Sequence, residues 1–493
     1  MTDVDTVRDM PVRRGFAGAL SVLRIPAWIA ACCAVLTTRA DPDLWGHVRF
    51  GLDILQSHHL PRVDQYSFTS DVAWMNHEWL AELIMGAAYS SMGAVGLFVI
   101  KAVLSIAICF GIASPLSRAP KPWRWTTGFL AVVGILPFTL TMRPHLWTLL
   151  FLTLECRLLS GAPRQRYWLP LIFVVWANLH GGWIVGLGVL GLWSLIEMFE
   201  PARQRPSTWL VLGVPAACAI ATLGNPYGWH LWEFLARTVG LSRPSITEWQ
   251  PSWRSPFPLI LWLAGIVWVG MALRTAERRP AKVMAVLAML AFASLRVNRL
   301  VPLFISAAVI LLLPHISHAH APERHAWSRG RALVDVALTL IGVLILVLTT
   351  PARCLQMYGS WLPDAYAAKA LAASNPTGRI VTWFNWGEYA IWHFGPALKV
   401  SIDGRRETVY SDAVLQRQQA ISDGDPAALR EFETSPPEYV WLPKRRSDRV
   451  RAWLNSHGYR LDIETPLSFV GVRADLPRVV PGAVASSGCF PGP

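Results

Sequence analysis

The stretch Asp41-Pro42-Asp43-Leu44-Trp45-Gly46-His47-Val48-Arg49-Phe50-Gly51 comes directly after a first apolar segment, at about 17–38. Two carboxylates, an aromatic ring and a histidine lie within its first seven residues. A membrane-spanning helix takes roughly 20 mainly apolar residues, and the preceding segment is long enough. The stretch therefore emerges at one face of a membrane, and its chemistry depends on which face that is.

The composition of the chain is typical of a membrane protein. Of 493 residues, 53% are hydrophobic and 16% are charged, and tryptophan occurs 25 times. Soluble domains average roughly 25% charged residues, and tryptophan is enriched at membrane interfaces. A net charge of +13 could indicate nucleic acid, but cytoplasmic anchoring loops of a polytopic protein produce the same excess. No nucleic-acid partner is therefore predicted.

Apolar runs predict an α-helical polytopic membrane protein with about eleven spanning helices. Eighteen Lys and Arg residues lie on one set of short connections, and nine lie on the longer, opposite set. The positive-inside rule then places the N-terminus in the cytoplasm and the longer connections outside. This predicts a multi-pass protein of the bacterial inner (plasma) membrane. The predicted spans are 17–38, 94–115, 126–142, 145–160, 167–180, 182–199, 207–223, 257–273, 283–297, 300–315 and 333–351.

The first outer connection, residues 39–93, is unusually long. Its segments 44–57 and 77–92 have apolar residues on one helical face, so both could lie along the membrane surface. A Pro-containing turn at 59–64 separates them. A second long outer connection covers 224–256. We call residues 39–93 the first outer loop.

The chain changes character at about residue 352. Strand-like runs occur at 379–384, 398–402, 439–442 and 468–472, with helical stretches near 362–374, 410–421 and 446–457. This alternation predicts a membrane domain over 1–351, a soluble extracytoplasmic α/β domain over 352–480 and a disordered tail over 481–493. Cys354 and Cys489 could pair if this part lies outside.

Polar residues at the ends of the predicted spans gather on the outer side. A charge at the bilayer centre costs about 2.5–3.5 kcal/mol, so these residues should face water or a cavity. Carboxylates can act as general bases or hold a divalent cation, and arginines can clamp a phosphate. An apolar groove between helices can take a lipid tail. Together these groups suit the transfer of a group from a lipid-linked phosphate to an acceptor nucleophile.

A first span, a long outer loop that starts with a DxD-like pair, surface helices and a later acid resemble the GT-C superfamily of integral membrane glycosyltransferases. Arnt-like and protein O-mannosyltransferase-like members use polyprenyl-phosphate sugars. The matching residues are Asp41 and Asp43, and Glu78 in Asn76-His77-Glu78-Trp79-Leu80. The resemblance implies that Asp41 or Asp43 is the catalytic base or a metal ligand, and that Glu78 positions the acceptor or the metal. Pro42 separates the two aspartates and departs from a simple acidic pair.

A closer resemblance covers nearly the whole chain but implies no substrate. It is to a group of bacterial multi-pass membrane proteins with the same loop and a tail that contains Asn385-Trp386-Gly387-Glu388-Tyr389 and Asp403-Gly404-Arg405-Arg406. The second of these motifs has the pattern of a tight turn after a strand. It could be a solvated turn with salt bridges, dock onto the membrane part or bind the acceptor.

Each candidate residue also has a structural alternative. Asp43 could cap a helix, Asp64 could form a turn and Glu78 could favour a helix dipole. The histidines could be structural, and the arginines could anchor lipid headgroups. The predicted catalytic residues are Asp41, Asp43 and Glu78; the predicted substrate-binding residues are His47, Asp64, His77, Arg143, His145, His180, Glu248, Arg296 and Arg299.

The leading hypothesis is thus a glycosyltransferase at the outer face of the inner membrane. Its partners would be a polyprenyl-phosphate-linked sugar donor, a lipid, glycan or protein acceptor, and membrane lipids. A divalent cation, Mg²⁺ or Mn²⁺, could be needed, with Asp41 and Asp43 as its ligands; no organic cofactor is predicted. Two other classes stay open: a transporter or flippase of a lipid-linked or small solute, and a non-enzymatic envelope assembly protein.

Overall fold

The structure is a computed structural model. It describes residues 35–116, 121–316 apart from 202, 204, 242, 244 and 245, the positions 337, 340 and 344, and residues 353–480 and 488–492. Two predicted spans, 17–38 and 333–351, lie almost wholly outside the described residues.

Helices occupy each of the nine predicted spans between residues 94 and 315. The two helices of the first outer loop come before them. Four of the apolar helices are preceded by short 3-10 or π turns. The helices are α1 Leu44–Ser57, α2 Trp79–Met92, α3 Ala94–Leu116, α4 Lys121–Thr139, α5 His145–Ser160, α6 Leu169–Leu179, α7 Trp183–Met198, α8 Val214–Ala221, α9 His230–Thr238, α10 Pro256–Thr275, α11 Ala281–Arg296 and α12 Val301–Leu312.

Three helices in the described part of the chain are long and apolar enough to cross a membrane. They cover Ala94–Ala113, Pro256–Thr275 and Asn298–His315. The chain is thus a multi-pass membrane protein. The predicted number of eleven is not established, because several of the other apolar helices are only 8–16 residues long.

The two helices of the first outer loop pack with their backbones in contact. A Cβ atom on Gly51 of α1 would lie 1.9 Å from the carbonyl oxygen of Glu82 in α2, and one on Gly86 would lie 2.5 Å from the carbonyl carbon of Gly51. Only glycine allows this approach. The contact fixes α1 against α2 and brings their polar N-terminal ends together.

The part after residue 353 contains a five-stranded mixed sheet, in the order β2-β1-β3-β5-β4. β1 is parallel to β2 and β3, whereas β5 is antiparallel to β3 and β4. The strands are β1 Gly378–Thr382, β2 Leu398–Val400, β3 Tyr439–Pro443, β4 Tyr459–Glu464 and β5 Ser468–Arg473, and the helices are α13 Ala365–Ser374, α14 Gly387–Phe394, α15 Asp412–Asp423, α16 Pro426–Leu429, α17 Glu431–Thr434 and α18 Asp448–Ser456.

Alternate residues of the strands serve two cores. Ile380 and Trp441 belong to a core cluster that also contains residues of the first outer loop and the apolar helices. Their neighbours Val381 and Val440 belong to a separate cluster beneath the small helices α15 to α18. Successive side chains of a strand point to opposite faces. The sheet therefore has two buried faces, and one of them packs on the membrane part.

The first outer loop adds a short extended segment to the edge of this sheet. Ser67 pairs in parallel with Val400, and the backbone N–H of Val400 donates to the carbonyl of Tyr66 at 2.8 Å. Farther along the loop, both carboxylate oxygens of Asp71 accept hydrogen bonds from Ser411. The loop and the sheet thus form one continuous structure.

An ion pair in the same region corrects the expectation of a solvated turn at Asp403-Gly404-Arg405-Arg406. The guanidinium of Arg405 donates to both carboxylate oxygens of Asp64, at 2.7 and 3.0 Å, and also to Asp403. Asp403 is fully buried, and Arg405 is 8% exposed. The turn therefore docks onto the first outer loop.

Residues 488–492 are fixed in place, in contrast to the expected disorder of 481–493. Cys489 forms a disulfide with Cys354, and the carbonyl of Pro491 accepts a hydrogen bond from the indole of Trp45 in α1 at 2.7 Å. Phe490 packs against the same indole ring. Residues 481–487 and 493 lie outside the described residues. The segment 488–492 therefore supports the helix that follows Asp43.

Candidate functional site

A backbone register places the acidic pair opposite an arginine. Arg39 pairs in parallel with Thr141, and its N–H donates to the carbonyl of Leu140 at 2.9 Å. In a parallel pair, residues two positions further along both chains lie opposite each other again. Asp41 therefore lies beside Arg143, just before α1 and α5 begin.

Arg143 contacts three carboxylates. Its Nε lies 3.1 Å from Oδ2 of Asp41, its Nη2 donates to Asp43, and its Nη1 lies 3.4 Å from both oxygens of Glu248. Asp43 occupies the N-cap position of α1, but its side chain makes no capping hydrogen bond. Helix capping therefore does not account for Asp43.

A cavity of about 240 Å³ opens beside this cluster. One wall is charged and the other is apolar. The N-terminal turns of α5, α10 and α12 all contribute to it. The lining residues are Asp41, Pro137, Phe138, Thr141, Arg143, His145, Glu248, Phe257, Pro258, Leu261, Asn298, Arg299, Val301 and Pro302. Because helix N-termini carry partial positive charge, three of them and two arginines make the cavity suitable for an anion.

The acids of the cavity differ in their affinity for protons. Burial raises the pKa of Asp41 to about 7, against the opposing effect of Arg143. Burial would also raise the pKa of Glu248, but Arg143 and Arg299 hold it at about 2. Burial opposes the charge of Arg143, yet Asp43, Glu248 and Asp41 raise its pKa well above the ordinary value. At neutral pH, Asp41 is thus the acid that can exchange a proton.

Asp41 is also the acid of the cavity whose oxygens lack aligned hydrogen bonds. It is 7% exposed, and neither of its oxygens makes an aligned hydrogen bond with any described residue. A buried carboxylate without such bonds is costly. Since Asp41 lines the cavity, a ligand there could supply the missing hydrogen bond.

Trp249 contacts two guanidinium groups. The centre of its ring is 4.1 Å from Cζ of Arg243 and 4.7 Å from Cζ of Arg299. Arg243 also binds Glu407, which follows the docked turn. The indole thereby orients Arg299 at the cavity wall through cation–π contact.

A second polar cluster adjoins the cavity around Glu78. One carboxylate oxygen of Glu78 lies 3.5 Å from Nε2 of His180 and 3.7 Å from Nε2 of His77. The other lies 3.9 Å from Nδ1 of His47, which is 3.1 Å from Glu82. Glu78 precedes α2 but makes no capping hydrogen bond. Four predicted site residues therefore meet here, joined by Glu82.

Two histidines of this cluster carry different charges. Burial lowers the pKa of His180 well below its ordinary value, with Arg299 as the next cause. Nδ1 of His180 accepts from the N–H of Gly182, so the proton of the neutral ring sits on Nε2, facing Glu78. Burial would lower the pKa of His47 as well, but Glu82 and Glu78 raise it to about 9.

Two sets of side chains can be compared as ligands for the predicted divalent cation. Asp41 and Asp43 share Arg143, so a guanidinium already lies between them. Instead, ligand atoms of His47, Glu78 and Glu82 lie within 4.8 Å of one another. Imidazole with carboxylates is a common ligand set for transition metals. This second set fits a cation once His47 gives up its proton, and the predicted aspartate pair does not.

Two predicted residues belong neither to the cavity nor to the polar clusters around Arg143 and Glu78. Asp64 is committed to Arg405, and its side chain is 1% exposed. Arg296 ends α11 with an exposed side chain and is not among the lining residues. Conversely, Glu388 was not predicted, although it lies in the quoted tail motif. Its carboxylate accepts a hydrogen bond from the N–H of Gly46 at 3.1 Å.

Comparisons with known proteins give structural likenesses only. No protein-family model and no curated protein matches the chain. Among solved structures, it is similar to the arabinofuranosyltransferase AftD from Mycobacteria, with 17% identity and a TM-score of 0.46 over 93% of this chain and 40% of that one. It is also similar to ArnT from Cupriavidus metallidurans bound to undecaprenyl phosphate, with 11% identity and a TM-score of 0.47 over 93% and 98% of the two chains.

The chain thus spans less than half the length of AftD. ArnT is among the structures it is similar to, as the resemblance in the sequence predicts. At these identities and TM-scores, the likeness carries no argument about activity, substrate or site residues. The function has to come from the side chains of this chain.

Proposed function

We propose that the protein is a glycosyltransferase that moves a sugar from a polyprenyl-phosphate donor to an acceptor hydroxyl. One observation carries this proposal. A single cavity combines a buried carboxylate whose pKa is about 7, Asp41, with two guanidiniums and an apolar wall. The carboxylate supplies a general base, the guanidiniums a phosphate site and the wall a path for the lipid.

The donor fits the asymmetry of the cavity. Its phosphate binds Arg143 and Arg299, where the N-termini of three helices add favourable potential. Prolines in the first turns of α10 and α12 remove some backbone donors there, so the side chains supply most hydrogen bonds. The isoprenoid chain follows Phe257, Leu261 and Val301 along two helices that are long enough to cross the membrane.

The transfer is a single displacement. The acceptor O–H gives its proton to the Asp41 carboxylate while its oxygen forms a bond to the anomeric carbon. The bond from that carbon to the phosphate oxygen breaks, and the electron pair leaves with the lipid phosphate. Arg143 and Arg299 stabilise the charge that develops there. Attack from the face opposite the leaving group inverts the anomeric configuration.

The cluster around Glu78 is the proposed acceptor side. Glu78, His77 and His180 offer hydrogen-bond partners for sugar hydroxyls next to Asp41. A divalent cation, when bound, would be held by His47, Glu78 and Glu82 and would neutralise their charge. The step above does not require it.

Three features support the outer face of the inner membrane as the location. The helix N-termini at the cavity belong to connections that carry few Lys and Arg residues. The disulfide between Cys354 and Cys489 is typical of an oxidising compartment. Exposed Trp and Tyr residues in the membrane part also lie at the predicted span ends, as expected at membrane interfaces: Trp125, Tyr167, Trp168 and Trp209 on the predicted inner side, and Trp229 and Trp253 on the outer side.

The direct test is transfer by the purified protein in lipid nanodiscs. Labelled undecaprenyl-phosphate hexoses and pentoses are supplied with an envelope extract as acceptor. Label in a new product, dependent on Asp41, is the expected result. Movement of the intact donor across proteoliposomes without any product would instead establish transport. If neither transfer nor transport is observed, the non-enzymatic assembly role remains.

We expect transfer to increase with pH through about 7. A general base must be unprotonated, and burial holds the pKa of Asp41 at about 7. Below that pH, kcat/KM should fall roughly tenfold per pH unit, as one proton blocks the base of the free enzyme. The measurement is kcat/KM for the donor from pH 5 to 8. A flat profile over that range would remove Asp41 as the base.

Removal of the disulfide should destabilise the extracytoplasmic part. The bond closes a loop with a sequence separation of 135 residues, and such cross-links typically contribute about 2–4 kcal/mol. Cys354→Ala should lower the unfolding temperature in detergent, and Cys218→Ala, at a free cysteine, serves as the control. Equal behaviour of oxidised and reduced wild-type protein would contradict the expectation.

A further inference from the structure

We infer that Glu388, in the part of the chain that follows the membrane helices, is a positioning residue of the active site that holds Asp43 against Arg143. This inference rests on the proposed glycosyltransferase function and adds a residue to its site. It assigns to the sheet-containing part a direct role in the arrangement of the catalytic acids.

The first support is the place of the carboxyl group. Glu388 lies in the first turn of α14 and is 4% exposed. Its Oε2 accepts from the N–H of Gly46, in the first turn of α1. A side chain therefore crosses from one part of the molecule to hold the start of the helix that follows Asp43.

The second support is a close approach of two acids. A Cβ atom on Gly404 would lie 2.5 Å from Oε1 of Glu388 and 2.6 Å from Oδ1 of Asp43. The two oxygens therefore lie near each other beside the same glycine. Two buried carboxylates at close range cannot both be ionised without a large cost. A proton on Glu388 turns this repulsion into a contact with Asp43.

The third support is the space around Glu388. A Cβ atom on Gly46 would lie 2.3 Å from Oε2, and one on Gly387 would lie 2.1 Å from the carbonyl oxygen of Ile402. The start of α1, the start of α14 and the backbone at Ile402 therefore meet around this carboxyl group, with no side chains between them. Such packing leaves Glu388 little freedom to turn away from Asp43.

The surroundings favour the neutral acid. Burial raises the pKa of Glu388 well above its ordinary value, and Asp43 and Asp403 raise it further. Arg405 acts in the opposite direction, and Glu82 adds to the rise. Arg405 also pairs with Asp403 and Asp64, and its effect on Glu388 is smaller than that of burial and the neighbouring acids.

The inferred support runs through three residues. A neutral Glu388 that donates to Oδ1 of Asp43 would leave Oδ2 for Arg143, which already donates to it. Arg143 in turn faces Asp41 and the cavity. Loss of Glu388 would let Asp43 and Arg143 shift, and misplacement of a reacting group by about 1 Å can cost on the order of 100-fold.

The test compares Glu388→Ala with Glu388→Gln in the full-length protein. Glu388→Ala should lower kcat on the order of 100-fold with little change in donor KM. Glu388→Gln should restore most of this loss near neutral pH, because an amide resembles the neutral acid. Wild-type kcat should decline at alkaline pH as Glu388 ionises. In Glu388→Gln this decline should be absent. Glu433→Ala, at an exposed glutamate of α17, is the control.

A second readout does not need activity. The infrared difference spectrum of wild type minus Glu388→Gln at pH 7 should contain the carbonyl band of a protonated carboxylic acid. Absence of that band, or a kcat of Glu388→Ala equal to wild type while Asp41→Asn is inactive, would overturn the inference. If wild-type protein transfers no sugar at all, the proposed function fails instead, and the infrared band still tests the state of Glu388.

Discussion

Replacement of Asp41 by asparagine should abolish sugar transfer. Asparagine keeps the shape of the side chain but cannot take up the proton of the acceptor, and loss of a general base typically costs about 10²–10⁴-fold in rate. Asp41 is buried at the cavity and makes no aligned hydrogen bond with the described residues. The measurement is kcat of Asp41→Asn in nanodiscs, with protein yield and unfolding temperature beside it.

Arg296→Gln is the matched control for this variant. Arg296 belongs to the same predicted outer face, but it is exposed and does not line the cavity. Its variant should transfer sugar within about threefold of wild type, since surface substitutions seldom disturb a structure. Wild-type rates in Asp41→Asn would contradict the mechanism. Inactivity of both variants would indicate a general effect of charge on the outer face.

Replacement of Arg405 by alanine should have the largest effect on stability. The change leaves the carboxylates of Asp64 and Asp403 buried and unpaired, with side chains 1% and 0% exposed. Breaking a buried ion pair from one side costs about 3–5 kcal/mol. The sheet should then separate from the first outer loop. Limited proteolysis within the loop, together with thermal unfolding, measures both effects.

Arg417→Ala provides the contrast for Arg405→Ala. Arg417 pairs with Glu431, but both side chains are about half exposed. Exposed pairs typically contribute about 0–1 kcal/mol, so this variant should unfold near the wild-type temperature. Equal loss in the two variants would mean that the docked turn does not hold the loop to the sheet.

The apolar helices were predictable because their signal is local. Hydropathy alone located both ends of α3 and the start of α10 to within one residue. A long apolar run has few conformations other than a spanning helix. The strands β1, β2, β3 and β5 were likewise predicted from their β-branched and aromatic residues. β4 was missed although Tyr459, Leu461 and Ile463 alternate with polar residues, a pattern typical of a half-buried strand.

The site was predictable only in part. Asp41, Arg143, Glu248 and Arg299 were predicted to lie together because all four follow or precede spans on the same side of the membrane. The partner of Asp64 could not be predicted, because Arg405 lies 341 residues further along the chain. Glu388 was hidden for the same reason. A pattern within a segment carries no information about which distant segment covers it.

The segment 488–492 has a consequence for the order in which this protein matures. In the proposed orientation, the first outer loop is exported before Glu388, Arg405 and the residues beside Cys489, which support it, have been made. A nascent chain would therefore carry its acids across the membrane before they are held in place. Under the proposed function, a prematurely terminated product would reach the bilayer without the ability to consume carrier lipid.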